Sequence, residues 1–177
     1  PILFVSGHFG NYQAARAAMN VRGYEMGGLY RLMNNPYSNP HYVASVEGVG
    51  GPAFARDRRG LAGFVRNLRD GGQGAILIDQ YVSRGARLDF LGHTAPTSLS
   101  AAEMALKYGA LLVPIYAERL ENGLDFDVRL EAALPHGDAA EMTQALNDSL
   151  AARVRARPEQ WFWVHRRWKP DRQRRRG

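Results

Sequence analysis

A chain of 177 residues with 45% hydrophobic content can bury one sizeable core and is too short for two typical domains, so a single domain is expected. The absence of cysteine excludes disulfides, thiolate metal sites and a cysteine nucleophile, and no apolar run approaches the roughly 20 residues that a membrane-spanning helix needs. The formal net charge of +6 sits in residues 166–177, where seven Arg or Lys accompany one Asp; the rest is neutral, which argues against a nucleic-acid-binding face and suits a short basic tail for an anionic membrane surface.

The chain opens at Pro1 and runs directly into residues 2–6, which read as a buried strand cut off from whatever precedes it. Residues 11–21, with the small Ala14, Ala15, Ala17 and Ala18, read as a helix, and residues 24–30 as a second strand. The turn residues Asn34-Asn35-Pro36 open a stretch, 36–49, that contains a helix stopped by Gly50-Gly51-Pro52. Leu61, Phe64, Val65 and Leu68 recur at i, i+3, i+4 and i+7, an amphipathic helix ended by Gly71-Gly72. A central strand at 75–79, a helix at 100–108, a buried strand at 111–117 and its hairpin partner at 124–132 follow, the last two joined across Glu121-Asn122-Gly123. Asp138 caps a long helix over 139–157. Strands alternating with helices predict an α/β single domain with a central mixed, mostly parallel sheet flanked by helices. The domain is expected over residues 1–169, N-terminally truncated, with a basic disordered tail at 170–177.

The segment Ser6-Gly7-His8-Phe9-Gly10-Asn11-Tyr12-Gln13 places a glycine-flanked histidine between a strand and a helix, the edge where open α/β sheets concentrate ligand chemistry. Glycines permit close backbone approach there, and first-turn amides can donate to an oxyanion. Five residues turn an ideal helix by about 500°, so His8 and Gln13 meet only if His8 lies in the turn before the helix. Taken alone, a histidine followed by glycine is more often structural than catalytic.

Four further blocks accompany that segment: Tyr30-Arg31-Leu32-Met33-Asn34-Asn35-Pro36, Leu77-Ile78-Asp79-Gln80, Phe90-Leu91-Gly92-His93-Thr94-Ala95-Pro96-Thr97, and Pro158-Glu159-Gln160-Trp161-Phe162-Trp163-Val164-His165-Arg166-Arg167-Trp168-Lys169. Together and in this order they resemble the late lipid A biosynthesis acyltransferases of the lauroyl/myristoyl type, within the wider class of His-x4-acid, lysophospholipid acyltransferase-like enzymes. The resemblance covers nearly the whole chain and implies a glycerolipid acyltransferase-like fold. It implies transfer of a fatty acyl group from an acyl carrier protein thioester to a hydroxyl of a lipid A precursor in lipopolysaccharide biosynthesis, without cofactor or metal. The enzyme would work on the cytoplasmic face of the inner membrane, through an anchor absent from this chain.

In that reading His8 is the general base, and donors such as the backbone near Gly10 and Asn11 stabilise the oxyanion. Arg31 meets a phosphate or carboxylate of the acceptor, or else a surface ion pair. Asp79 and Gln80 lie at a strand end, as site residues or as structural hydrogen-bonding groups. Gly92 and Thr97 belong to a loop, 90–97, that contacts acceptor or acyl chain, or simply packs Phe90 inward. Trp161, Phe162 and Trp163 read as core or as an interfacial belt, and Arg166 as a phosphate ligand or part of a solvated charge run.

The sequence departs from the family pattern at Gln13, where the family carries Glu or Asp. An amide can orient His8 through its oxygen but supplies no negative charge. Three readings stay open: a weakened enzyme, another carboxylate such as Glu25 or Asp79 in its place, or an inactive lipid-binding relative. A related acyltransferase with a glycolipid or amino-acid-lipid acceptor is the alternative within the enzyme class.

Overall fold

In the computed structural model, which describes residues 1–169, the strand β1 (Ile2–Ser6) lies inside a six-stranded sheet. Its apolar run sends side chains to both faces, so it needs cover on both, and a central parallel position provides that. It runs parallel to β4 (Gln73–Leu77) and β7 (Leu111–Arg119). Beyond β4 come β2 (Met26–Tyr30) and β3 (Ala53–Ala55), both parallel, while β8 (Phe126–Leu130) closes the other edge antiparallel to β7. The sheet is thus mixed and mostly parallel, and five α-helices flank it among the described residues.

One face is covered by α1 (Tyr12–Val21), whose Ala15 and Met19 pack with Phe4, Met26 and Ile115. On the other face α3 (Arg58–Arg69), α4 (Ser100–Tyr108) and α5 (Ala139–Ala156) bury Phe64, Leu68, Ala102 and Leu146 against Leu3 and Val5. The short α2 (Asn39–Gly48) follows β2. Polar caps set three helix starts: Asn11, Asp57 and Asp138 each accept from first-turn amides.

The second strand starts at Met26 rather than Tyr24, because the preceding residues still close the end of α1, with the Tyr24 N–H on Met19 O. The strand expected over 75–79 ends at Leu77, which leaves Asp79 just beyond the sheet edge. Residues 90–97 are not a loop but half of a hairpin, β5 (Ala86–Phe90) and β6 (His93–Thr97), turning at Leu91 and Gly92. Both turn residues have positive φ, 57° and 85°, as a two-residue hairpin turn requires. The hairpin rests on α5, where Gln144 and Asn147 bond the backbone of Asp89. The closing segment joins it: Arg167 is fully buried and donates to Pro96 O at 2.8 Å and Thr97 Oγ1 at 2.5 Å. The expected tail at 170–177 lies outside the described residues.

Candidate active site

β1 ends at Ser6, Gly7 and His8 turn the chain over the sheet edge, and α1 begins at Tyr12. Crowding favours glycine at both flanking positions and requires it at Gly10. A side chain at Gly7 would strike Leu150, and one at Gly10, which has φ 55°, would overlap the Ala117 carbonyl. His8 therefore sits in the turn before the helix, with its ring 18% exposed.

The partner of His8 is Asp79. The Nδ1 of His8 lies 2.7 Å from Asp79 Oδ1, and the His8 backbone N–H donates to Asp79 Oδ2 at 2.7 Å. The Trp161 indole N–H donates to the same Oδ2 at 2.9 Å. Burial acts to raise the pKa of this fully buried carboxyl, but the His8 ring, the Trp161 indole and the His8 amide outweigh it and hold it below the usual carboxylate value. An ionised Asp79 only accepts, so Nδ1 of His8 carries the proton and Nε2 is left with its lone pair. That is the tautomer a general base needs.

Aromatic rings hold the imidazole in place. Tyr12 and His165 meet it edge to face at 5.5 and 4.4 Å between centroids, and Phe162 lies at 6.4 Å. Burial, and then electrostatic coupling to His8, lower the pKa of His165, whose Nε2 lies 3.4 Å from the Gln80 amide nitrogen. The His8 carbonyl accepts from Phe162 N–H at 2.9 Å, so the closing segment is clamped to the turn.

His8 borders a cavity of about 580 Å³ at the C-terminal ends of β1, β2 and β4. Its walls are mainly apolar, with Phe4, Met26, Leu29, Ile76, Leu77 and Met104 among them. Gln13, Arg31 and Gln80 also line it, so these candidates gather around one space with His8. The hydrogen bond from His8 to the Gln13 amide is not made. Gln13 lies in the first turn of α1, its side chain has no hydrogen-bond partner among the described residues, and Asp79, 71 positions further along the chain, accepts the hydrogen bond from His8 Nδ1–H.

Other expectations change as well. The amides of Gly10 and Asn11 do not await an oxyanion, because they donate to Gln160 O at 2.8 Å and Ala117 O at 2.9 Å. The Asn11 side chain is spent on capping α1. Thr97 is fully buried and bonded to Ala95 O and Arg167, Gly92 is at the exposed hairpin tip, and Arg166 is exposed outside the cavity lining. Arg31 is exposed at the cavity wall and donates to Asn34 at 3.1 Å. Sequence reading missed Trp161 as a donor to Asp79, Arg16 and Arg56 as further arginines of the cavity wall beside Arg31, and the closeness of His165 to His8. An indole that must bury its N–H near an acid was the available signal for the first of these.

Among known proteins, the family model for bacterial lipid A biosynthesis acyltransferases matches residues 1–170. A phosphatidylinositol mannoside acyltransferase of Mycobacterium tuberculosis (strain ATCC 25618 / H37Rv) is 28% identical over 121 residues, 68% of this chain and 38% of that protein. A lipid A biosynthesis acyltransferase of Haemophilus influenzae is 22% identical over 166 residues, 92% of this chain and 52% of that protein. The chain thus spans about half or less of the length of the curated relatives it matches. Since the family match runs through all five sequence blocks and through every residue of the His8–Asp79–Trp161 cluster, the chain belongs to the bacterial lipid A biosynthesis acyltransferase family.

Proposed function

We propose that this chain is the catalytic domain of an acyltransferase that moves a fatty acyl group from an acyl carrier protein thioester to a hydroxyl of a lipid A precursor. The observation that carries the reading is the His8–Asp79 pair, with a free Nε2, at the edge of an apolar cavity. His8 Nε2 takes the proton of the acceptor hydroxyl as its oxygen attacks the thioester carbonyl. Asp79 fixes the tautomer and stabilises the imidazolium as it forms, the part an acid plays beside histidine in the serine-protease triad. The imidazolium then returns the proton to the departing sulfur, so no acyl-enzyme is needed. The cavity offers the acyl chain a dry surface, and Arg31 offers an anionic acceptor group a guanidinium fork.

The ionised Asp79 speaks against an inactive lipid-binding relative, because Gln13 is not asked to supply the charge. A glycolipid acceptor is the second reading, favoured by the likeness to a phosphatidylinositol mannoside acyltransferase. Mass-spectrometric lipid profiles of a deletion strain separate the two acceptors. We place the intact protein on the cytoplasmic face of the inner membrane, where carrier protein is available; recovery wholly in the soluble fraction at physiological salt would contradict this. No helix among the described residues is long and apolar enough to cross a membrane.

The test of the chemistry is His8→Ala in the full-length enzyme. Loss of a general base should cut transfer by roughly 10²- to 10⁴-fold with the fold intact. Retained activity in the folded variant overturns the assignment.

A further inference from the structure

The attack that His8 promotes leaves a negative oxygen on the thioester carbon, and the donors expected for it near Gly10 and Asn11 are occupied by Gln160 and Ala117. A different donor stands close by. Ser6 lines the same cavity two residues before His8 and is only 6% exposed. Its Oγ is buried and has no hydrogen-bond partner among the described residues. Buried hydroxyls are nearly always bonded, because an unmet one loses its water without gaining a partner. An orphan hydroxyl beside a catalytic base is therefore a cost to the empty fold that binding of a ligand can relieve.

We propose that Ser6 Oγ–H is an oxyanion donor of the acyl-transfer reaction, an inference that rests on the acyltransferase reading. Ser6 ends β1 and His8 stands in the turn two residues on, and both border the same cavity, so a carbonyl group bound there can meet both. The carbonyl oxygen meets Ser6, while the carbonyl carbon meets an acceptor oxygen held on His8 Nε2 at the roughly 3–3.5 Å of a productive approach. A serine side chain has one heavy-atom torsion, so Oγ reaches the cavity by moving between staggered positions.

In the step itself, the acceptor oxygen bonds to the carbonyl carbon and its proton passes to His8. The carbonyl π pair moves to the oxygen, which Ser6 stabilises by a hydrogen bond without losing its proton. Collapse re-forms the C=O bond and breaks C–S, and His8 protonates the departing thiolate. No hydrogen bond joins Ser6 to His8, so Ser6 is assigned as a donor and not as a nucleophile. Phe4, Ala75 and Leu77 of the same lining are apolar and Ser6 itself is buried, a setting in which one fixed donor has a large effect.

The test compares full-length wild type with Ser6→Ala and Ser6→Thr, using a saturated acyl thioester of acyl carrier protein as donor and a phosphorylated lipid A precursor as acceptor. Removing one oxyanion donor should lower kcat by about 10²- to 10³-fold. KM for the donor should change little, and Ser6→Thr should retain more activity than Ser6→Ala. The thermal midpoint of Ser6→Ala should be unchanged or higher, since the substitution removes an unmet polar atom from the empty protein. Equal kcat in wild type and Ser6→Ala overturns the inference and leaves the acyltransferase reading standing. So does a fall in kcat that goes with loss of thermal stability, or an effect on KM alone. A folded wild type that transfers no acyl group to any lipid acceptor overturns the acyltransferase reading, and this inference with it.

Discussion

His8 divides two environments of opposite character. On the side of Asp79 and the closing segment, polar groups are bonded in short contacts: the two Asp79 oxygens accept from His8 Nδ1, His8 N–H and Trp161 Nε1, and Phe162 N–H is bonded to the His8 carbonyl. On the cavity side, Ser6 Oγ and the Gln13 amide have no partner among the described residues, and Arg31 meets only Asn34. The closed side holds one tautomer and one ring orientation. The open side keeps Ser6 Oγ and the Gln13 side chain uncommitted, and in the proposed reaction these are the groups left for a substrate.

The largest effect should come from Asp79→Asn, which keeps the shape of the closed side and removes its charge. The equivalent exchange in the serine-protease triad cost about 10⁴ in kcat by imposing the wrong tautomer, and a loss of that order is expected here. Circular dichroism should find the variant folded. A loss below tenfold in steady-state transfer would show that the closed side does not work as a relay.

A smaller effect concerns pH. The lowered pKa of His165, caused by burial and by His8, means that the unfolded chain binds a proton more readily there than the folded one. That contribution to stability is present above the ordinary imidazole value of about 6.5 and is lost as pH falls from there through the folded value. Asp79 has the same sign in a more acid range: its stabilisation is present above the ordinary carboxylate value and is lost as pH falls through its lowered one. Thermal midpoints should therefore decline in two stages on acidification. His165→Asn should flatten the first stage, and an unchanged slope would refute its origin in His165.

The smallest effect is that of Gln13→Glu. Had Gln13 stood in for the partner of His8, an acid there would have raised kcat. With Asp79 already in place, a second carboxylate near the site should leave kcat unchanged or lower it, and its own pKa should rise. A clear gain in kcat, measured beside wild type, would mean that the Asp79 contact does not serve the reaction.

How far the sequence led depends on how local each signal is. The helix over 100–108 and the Asp138 cap are legible because their determinants lie within a few residues. Three-residue β3 is too short to show a period, and in β6 a proline in the middle of His93–Thr97 masks the alternation. His8 is legible from its glycines and from the resemblance. Its bond to Asp79 is not, because strand pairing in the register Ser6 to Leu77 brings the two together, and no spacing rule reaches that far along the chain. Asp79 was open to suspicion as a strand-end acid, whereas the occupied amides of Gly10 and Asn11 depend on the placement of Ala117 and Gln160 and leave no local mark.

The cluster around Asp79 also sets a timetable for biosynthesis. β1 leaves the ribosome before either of its neighbours, and its Ile2 must wait for Gln73 and then Leu111 before both edges are paired. The Asp79 carboxylate waits longer still, for the indole of Trp161. Until that residue emerges, the nascent chain carries an unpaired apolar strand and an incompletely bonded acid, a state in need of shelter from other chains. The His8–Asp79–Trp161 cluster is complete only after Trp161 has emerged, so a chain stalled or clipped before that residue lacks the assembled cluster as well as a finished fold.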